Sequence, residues 1–262
     1  MKIGFFDSGV GGLTVLKEAI SALPRQHFIY YGDTKNIPYG EKTKEEVVAL
    51  CKKGVDFLAG EGAGAIVIAC NTASSAAGQI LRRQFNIPII CMEPAINLAY
   101  KEKGNKVLVL ATNLTLHLEK YLRLKDRLNV EIDEIAAPKL VELAEDFKFG
   151  GDEVSHYLNK VLSGYHLDEY SHLVLGCTHF SFFQETLKAM LPQNIKVLDG
   201  NRGTVEHLRR GDILSPESCD IDDSNGRQNV TPTIYFTDNS KNNYKENIKN
   251  YLGCDNIDIK TI

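Results

Sequence analysis

At 262 residues the chain is long enough for two domains of ordinary size, each able to bury its own core. Its formal net charge of -4, with Lys and Glu interspersed, excludes the basic stripe of a nucleic-acid-binding surface and points to a small partner. The opening apolar run, Ile3-Gly4-Phe5-Phe6, is too short for a signal h-region or a membrane span, so a cytoplasmic location with no membrane partner is expected.

In chain order, short apolar runs predict strands over residues 2–6, 27–31, 65–69, 88–91, 106–110, 130–135, 172–175, 195–198 and 233–236. Helical patterns fill the gaps between them. A helix begins near Leu13. Another runs from Thr43 to Leu58, with Thr43 and Glu46 as a capping box and with Val47, Leu50, Cys51 and Leu58 on one face. Strands alternating with helices of this length predict an α/β fold of mostly parallel sheets covered by helices. The polar stretch 215–231 reads as a long surface loop.

The pattern restarts. Lys2-Ile3-Gly4-Phe5-Phe6-Asp7-Ser8 and Lys106-Val107-Leu108-Val109-Leu110-Ala111-Thr112 share a shape: a basic residue, an apolar strand and a hydroxyl-bearing turn. Each leads to a matching cysteine. Cys70 closes Ala65-Ile66-Val67-Ile68-Ala69 and is followed by Asn71-Thr72, while Cys177 closes Leu173-Val174-Leu175-Gly176 and is followed by Thr178-His179. Strand end, polar turn and helix start are thus predicted twice. Carboxyl ends of strands and the adjoining helix N-termini form the ligand crevice of α/β sheets, where backbone N–H groups favour anions and thiolates. Two such thiols facing one another across a cleft would flank a single substrate carbon. A lone cysteine is more often a small buried hydrophobe, and the paired context is what argues otherwise. The six cysteines, at 51, 70, 91, 177, 219 and 254, show no C-x-x-C spacing, so neither a disulfide framework nor a zinc site is expected.

The turn Asp7-Ser8-Gly9-Val10-Gly11-Gly12 lets backbone approach a ligand closely at a helix N-terminus, but it is neither G-x-G-x-x-G nor a P-loop. Asp7 either caps that turn or manages a proton beside a thiol. The Gly/Pro-rich segment from Gly32-Asp33-Thr34 through Pro38-Tyr39-Gly40 is long enough for a binding loop.

Through these motifs, with Tyr31-Gly32-Asp33-Thr34, Cys70-Asn71-Thr72-Ala73-Ser74 and Gly176-Cys177-Thr178-His179, the chain resembles the aspartate/glutamate racemase family, and specifically its glutamate racemases, over essentially its whole length, weakly from about Ser215 onward. Phe180-Ser181 stands where the family usually has Tyr-Pro, and the segment Leu140 to Glu145 matches only loosely the family's stretch ending in an acidic helper. The resemblance implies inversion of glutamate at its α-carbon without pyridoxal phosphate, metal or other cofactor, supplying D-glutamate for bacterial peptidoglycan. It implies Cys70 and Cys177 as the acid/base pair, Asp7 assisting Cys70, and His179 with Glu145 assisting Cys177. The implied substrate contacts are Asp7, Ser8, Tyr39, Gly40, Asn71, Thr72, Thr178 and His179. It further implies a homodimer and two α/β domains, residues 1–98 with 210–262 and residues 99–209, with the active site in the cleft between them.

The chemistry agrees. Removing the α-proton next to a carboxylate demands fixed donors for a dianionic state, and Asn71, Thr72, Thr178 and strand-end amides are suitable. A thiol at a helix N-terminus is expected to have its pKa lowered, so that one thiolate and one thiol coexist near neutral pH. Two rivals stay open: a cysteine hydrolase or acyltransferase with Cys177 as nucleophile and His179 as base, and an anion-binding protein with inert cysteines. Aspartate is the nearest competing substrate.

Overall fold

A computed structural model describes residues 1–92, 95–102, 106–210, 213, 231–238, 244–254 and 256–262. The expected surface loop over 215–231 lies outside the described residues apart from Thr231, and so does Cys219.

Two parallel sheets carry the fold. The first contains β1 (Lys2–Asp7), β2 (His27–Gly32), β3 (Ala65–Ile68), β4 (Ile89–Cys91), β9 (Thr233–Phe236) and β10 (Asp258–Thr261), in the order β10-β9-β2-β1-β3-β4. The second contains β5 (Lys106–Ala111), β6 (Glu131–Ala136), β7 (His172–Leu175) and β8 (Lys196–Leu198), in the order β6-β5-β7-β8. All nine expected strands form. The tenth, β10, was not foreseen, because Asp258-Ile259-Lys260-Thr261 is a mostly exposed edge strand without an apolar run.

The internal restart is a repeat of topology. β2-β1-β3-β4 and β6-β5-β7-β8 are the same arrangement, so β1 matches β5 and β3 matches β7. The C-terminal segment then extends the first sheet, with β9 pairing on β2.

The helices are α1 (Leu13–Ala22), α2 (Lys44–Gly60), α3 (Asn71–Gln84), α4 (Ile96–Lys101), α5 (Asn113–His117), α6 (Glu119–Arg127), α7 (Pro138–Glu145), α8 (Asp152–Leu162), α9 (Gln184–Met190), α10 (Asn201–Arg210) and α11 (Tyr244–Leu252). Thr43 caps α2 with the full capping box, its hydroxyl taking the Glu46 amide while the Glu46 carboxylate takes the Thr43 amide. Cys51 is fully buried on that helix, as its place on the apolar stripe requires.

Strand alternation decides which layer each residue enters. Ile3 and Phe5 face a core shared with Leu13 and Leu16 of α1 and Leu208 of α10, whereas Phe6 faces the layer under α2 and α3 with Val47, Cys51 and Val55. Likewise Leu108 and Leu110 face α7 and α8, while Val107 and Val109 face α4 and α6. The first of these cores is continuous across both sheets through α1, α7 and Phe180, Phe182 and Phe183. It therefore holds the carboxyl ends of β1 and β7 in a fixed relation.

Candidate active site

Asp7 ends β1, fully buried. Its Oδ1 accepts the Gly9 amide at 2.9 Å and its Oδ2 accepts the Thr178 hydroxyl at 3.2 Å. It thus caps its own turn and also reaches the second cysteine unit. Burial pushes its carboxyl above the usual value, against the opposing pull of His179 and the Gly9 and Gly12 amides.

Cys70 is the N-cap of α3, where its Sγ accepts the Ala73 amide at 3.4 Å and contacts Ser8 Oγ at 3.8 Å. Burial, followed by the Asp7 charge, pushes this thiol up to about 12. The expectation that a helix N-terminus lowers it is thereby corrected for Cys70: the Ala73 amide acts in that direction, but desolvation of a thiolate and the nearby carboxylate outweigh it. Cys70 is therefore a proton-bearing thiol at neutral pH.

Cys177 leads into a 3-10 turn, Thr178–Phe183, and the α-helix begins only at Gln184. This corrects the expectation of two equivalent strand-to-helix units, since only Cys70 caps an α-helix directly. The tight turn folds His179 back so that its Nδ1 lies 3.8 Å from Cys177 Sγ. His179 Nε2 is 2.7 Å from Glu145 Oε1. An ionised carboxylate only accepts, so Nε2 carries a proton and Nδ1 is the nitrogen left to exchange one with the thiol. Burial acts to lower the imidazole pKa, but its bonds to Cys177 and Glu145 raise it well above the ordinary value. Glu145 is likewise penalised by burial yet held below the usual carboxylate value by His179, the Val10 amide at 2.7 Å and the Tyr244 hydroxyl at 2.9 Å.

The glycines of the first turn are where this assembly needs room. A Cβ on Gly9 would collide with Glu145 Oε1, and one on Gly11 with the His179 ring. On Gly40 it would come within 2.7 Å of Thr112 Cβ. The Thr72 hydroxyl is bonded at 3.0 Å to both Thr112 and Thr115, which joins the Cys70 helix to the turn after β5. Tyr39 lies beside Gly40, but its hydroxyl donates to Asp33 Oδ2 at 2.6 Å. Asn71 Oδ1 is buried with no hydrogen-bond partner among the described residues, so it is an acceptor not used by the fold.

Asp7, Ser8, Cys70, Thr178, Cys177, His179 and Glu145 therefore form one connected cluster, with Asn71, Thr72, Gly40 and Tyr39 on its adjoining turns. Sequence reasoning gave no individual role to Val10, Thr112, Thr115, Asp33 or Tyr244. Thr112 had a signal, as the counterpart of Ser8 in the repeat. Tyr244, in an otherwise ordinary amphipathic helix, had none.

Residues 8–208 match the family model for Asp/Glu/Hydantoin racemase. The chain belongs to this family. It is 49% identical to a glutamate racemase of Halothermothrix orenii over 80% of this chain and 84% of that relative. Among solved structures it is similar to glutamate racemase from Campylobacter jejuni, with 30% identity, a TM-score of 0.79 and coverage of 97% of this chain and 98% of that one. It is also similar to the enzyme from Francisella tularensis in complex with D-glutamate, with 27% identity, a TM-score of 0.81 and coverage of 100% and 97%. The two-sheet architecture is that of these racemases, and the cluster around Asp7 lies almost wholly within the residues that the family model matches. Asp7 itself, one residue before that range, and Tyr244, beyond it, are the exceptions. No helix among the described residues is long and apolar enough to cross a membrane.

Proposed function

We propose that the protein interconverts L- and D-glutamate by a two-thiol acid/base reaction, supplying D-glutamate for peptidoglycan in the cytoplasm. The observation that supports this reading is that one carboxylate serves both cysteine units: Asp7 raises the Cys70 thiol and accepts the hydroxyl of Thr178, the residue after Cys177.

The protonation states supply the direction of the chemistry. Cys70 rests as a thiol and is poised to donate, while Cys177 sits against a His179–Glu145 pair built to hold a proton. With L-glutamate, Cys177 takes the α-proton and Cys70 gives its proton to the opposite face, leaving a Cys70 thiolate and a Cys177 thiol that solvent exchange resets. D-glutamate runs the same steps in reverse. Its ammonium group, brought beside Cys70, offsets the Asp7 charge and eases formation of the Cys70 thiolate. Asn71 offers its side-chain amide to the carboxylate as it becomes a dianion, and the Thr72 and Thr178 hydroxyls join it on exchanging their bonds to Thr112 or Thr115 and to Asp7 for the substrate. No cofactor enters these steps, so activity survives a chelator and a carbonyl-trapping reagent.

We read the chain as two domains, residues 1–98 with 210–262 and residues 99–209, with substrate in the cleft between them. Sheet membership supports this division, although α10 packs on α1 and β4 of the first sheet. A homodimer is expected, and a monomer in light scattering at working concentration refutes it.

The deciding experiment offers L-glutamate, D-glutamate, L-aspartate and D-aspartate separately and follows loss of optical activity. Both glutamate enantiomers lose rotation if the reading holds. Turnover of aspartate alone reassigns the substrate, and turnover of none defeats it.

A further inference from the structure

Glu145 carries its charge where local structure disfavours one. It is the last residue of α7, at the negative end of the helix dipole, and it is buried. Donors must offset both costs. Oε1 accepts from the Val10 amide and from His179 Nε2. Oε2 has a single partner among the described residues, the Tyr244 hydroxyl at 2.9 Å.

Tyr244 opens α11, beyond the residues matched by the family model. Its ring packs edge-on against Phe147 at 5.5 Å and Phe236 at 5.2 Å between centroids. Phe147 follows Glu145 by two residues and adopts a left-handed φ of 55°, which turns the chain beneath the tyrosine ring. The ring is thus held between two aromatic side chains without help from a substrate. Burial, then Glu145, keeps the phenol well above its ordinary value, so it remains a donor at any working pH.

We infer that Tyr244 is a positioning residue for the Cys177 half of the site: its hydroxyl fixes the Glu145 carboxylate so that His179 keeps Nε2–H on Glu145 and Nδ1 toward Cys177. The inference rests on the two-thiol reading above. Without the hydroxyl, Oε2 becomes a buried carboxylate oxygen with no donor, and Glu145 binds a proton at higher pH. A neutral Glu145 no longer supports an imidazolium beside Cys177. The groups that face this pair are His179 and, through it, Cys177, with Asp7 and Tyr30; Asp146 and Asp238 lie beyond the hydroxyl.

The test is Tyr244→Phe, which keeps the ring and its edge contacts and deletes only the hydroxyl. The expected result is a melting temperature lower by only a few degrees, KM for each enantiomer within about twofold, kcat lower by about tenfold, and the acidic limb of kcat moved to higher pH. Because a racemisation has an equilibrium constant of unity, kcat/KM must fall equally from both enantiomers. Unchanged kcat and pH limb overturn the inference. So does a kcat loss with an unmoved limb, which would make Tyr244 a packing residue. A second readout needs no turnover: the pH dependence of Cys177 alkylation by iodoacetamide, followed by peptide mass spectrometry. An upward shift for Cys177 with none for Cys70 supports the positioning role, and identical profiles in variant and parent overturn it. Failure of the functional reading is separate, being a parent protein that leaves both glutamate enantiomers unchanged.

Discussion

Thr178 donates its hydroxyl to Asp7 Oδ2 at 3.2 Å, joining residues 171 positions apart and tying the turn after β7 to the end of β1. The bond sets the Cys177 turn against the carboxylate that also raises Cys70. The shared core behind it, built from α1, α7 and the phenylalanines after His179, keeps the two strand ends in register.

Cysteine substitutions separate the thiols with a role from those that only pack. Cys70→Ala and Cys177→Ala each abolish inversion with the fold intact by circular dichroism. Cys51→Ala and Cys91→Ala retain turnover, at a stability cost of about 1–3 kcal/mol measured by denaturant unfolding, because both are buried in the layer under α2 and α3. Normal turnover by either Cys70 or Cys177 variant would end the two-thiol reading.

Isotope labelling tests the facing arrangement directly. In deuterated water each first-formed product molecule carries deuterium at the α-carbon, while unconverted substrate still carries hydrogen at early times. A single base serving both faces returns the original proton to product. Early product retaining substrate-derived hydrogen, seen by NMR or mass spectrometry, would rule the arrangement out.

Gly11→Ala places a methyl group against the His179 ring, between that ring and the Thr178 hydroxyl. The ring must turn, breaking either its contact with Cys177 or its bond to Glu145. The expected loss of kcat is at least about 100-fold, since a small misplacement of a catalytic group costs that much. A melting temperature that falls while kcat holds would contradict this.

The pH dependence of stability follows from the buried pair. Glu145 has a folded value below its ordinary 4.5, so its contribution is present above that value and is lost as pH falls through the folded one. His179 has a folded value above its ordinary 6.5, so its contribution is complete below that value and is lost as pH rises through the folded one. The pair therefore stabilises most between 4.5 and 6.5 and fades on both sides. Glu145→Gln should cost about 3–5 kcal/mol within that window and less outside it, by denaturant unfolding at several pH values. A cost independent of pH would show that the pair is not charged.

Thr72→Val removes the hydroxyl that bridges Thr112 and Thr115. Those two remain bonded to each other at 2.9 Å, so the loss should be about 1–3 kcal/mol of stability rather than unfolding. KM should rise as α3 and the turn after β5 lose their tie.

Much was already determined by the sequence alone. Apolar runs and their periodicity specified nine of the ten strands among the described residues, Thr43 and Glu46 specified the start of α2, and the repeated strand-cysteine-polar turn singled out Cys70 and Cys177. These are local signals, set by burial on two-sided strands and by hydrogen bonding within one turn. The tertiary structure alone decided which long-range partner each polar atom meets. Helix-terminus logic argued for a lowered thiol at Cys70, and burial with Asp7 reversed it. Glu145 was only loosely matched in sequence, and three donors from residues 10, 179 and 244 define its place. Tyr244 was invisible because hydrogen-bond partnership across 99 residues has no periodicity to read, and desolvation depends on what packs from elsewhere in the chain.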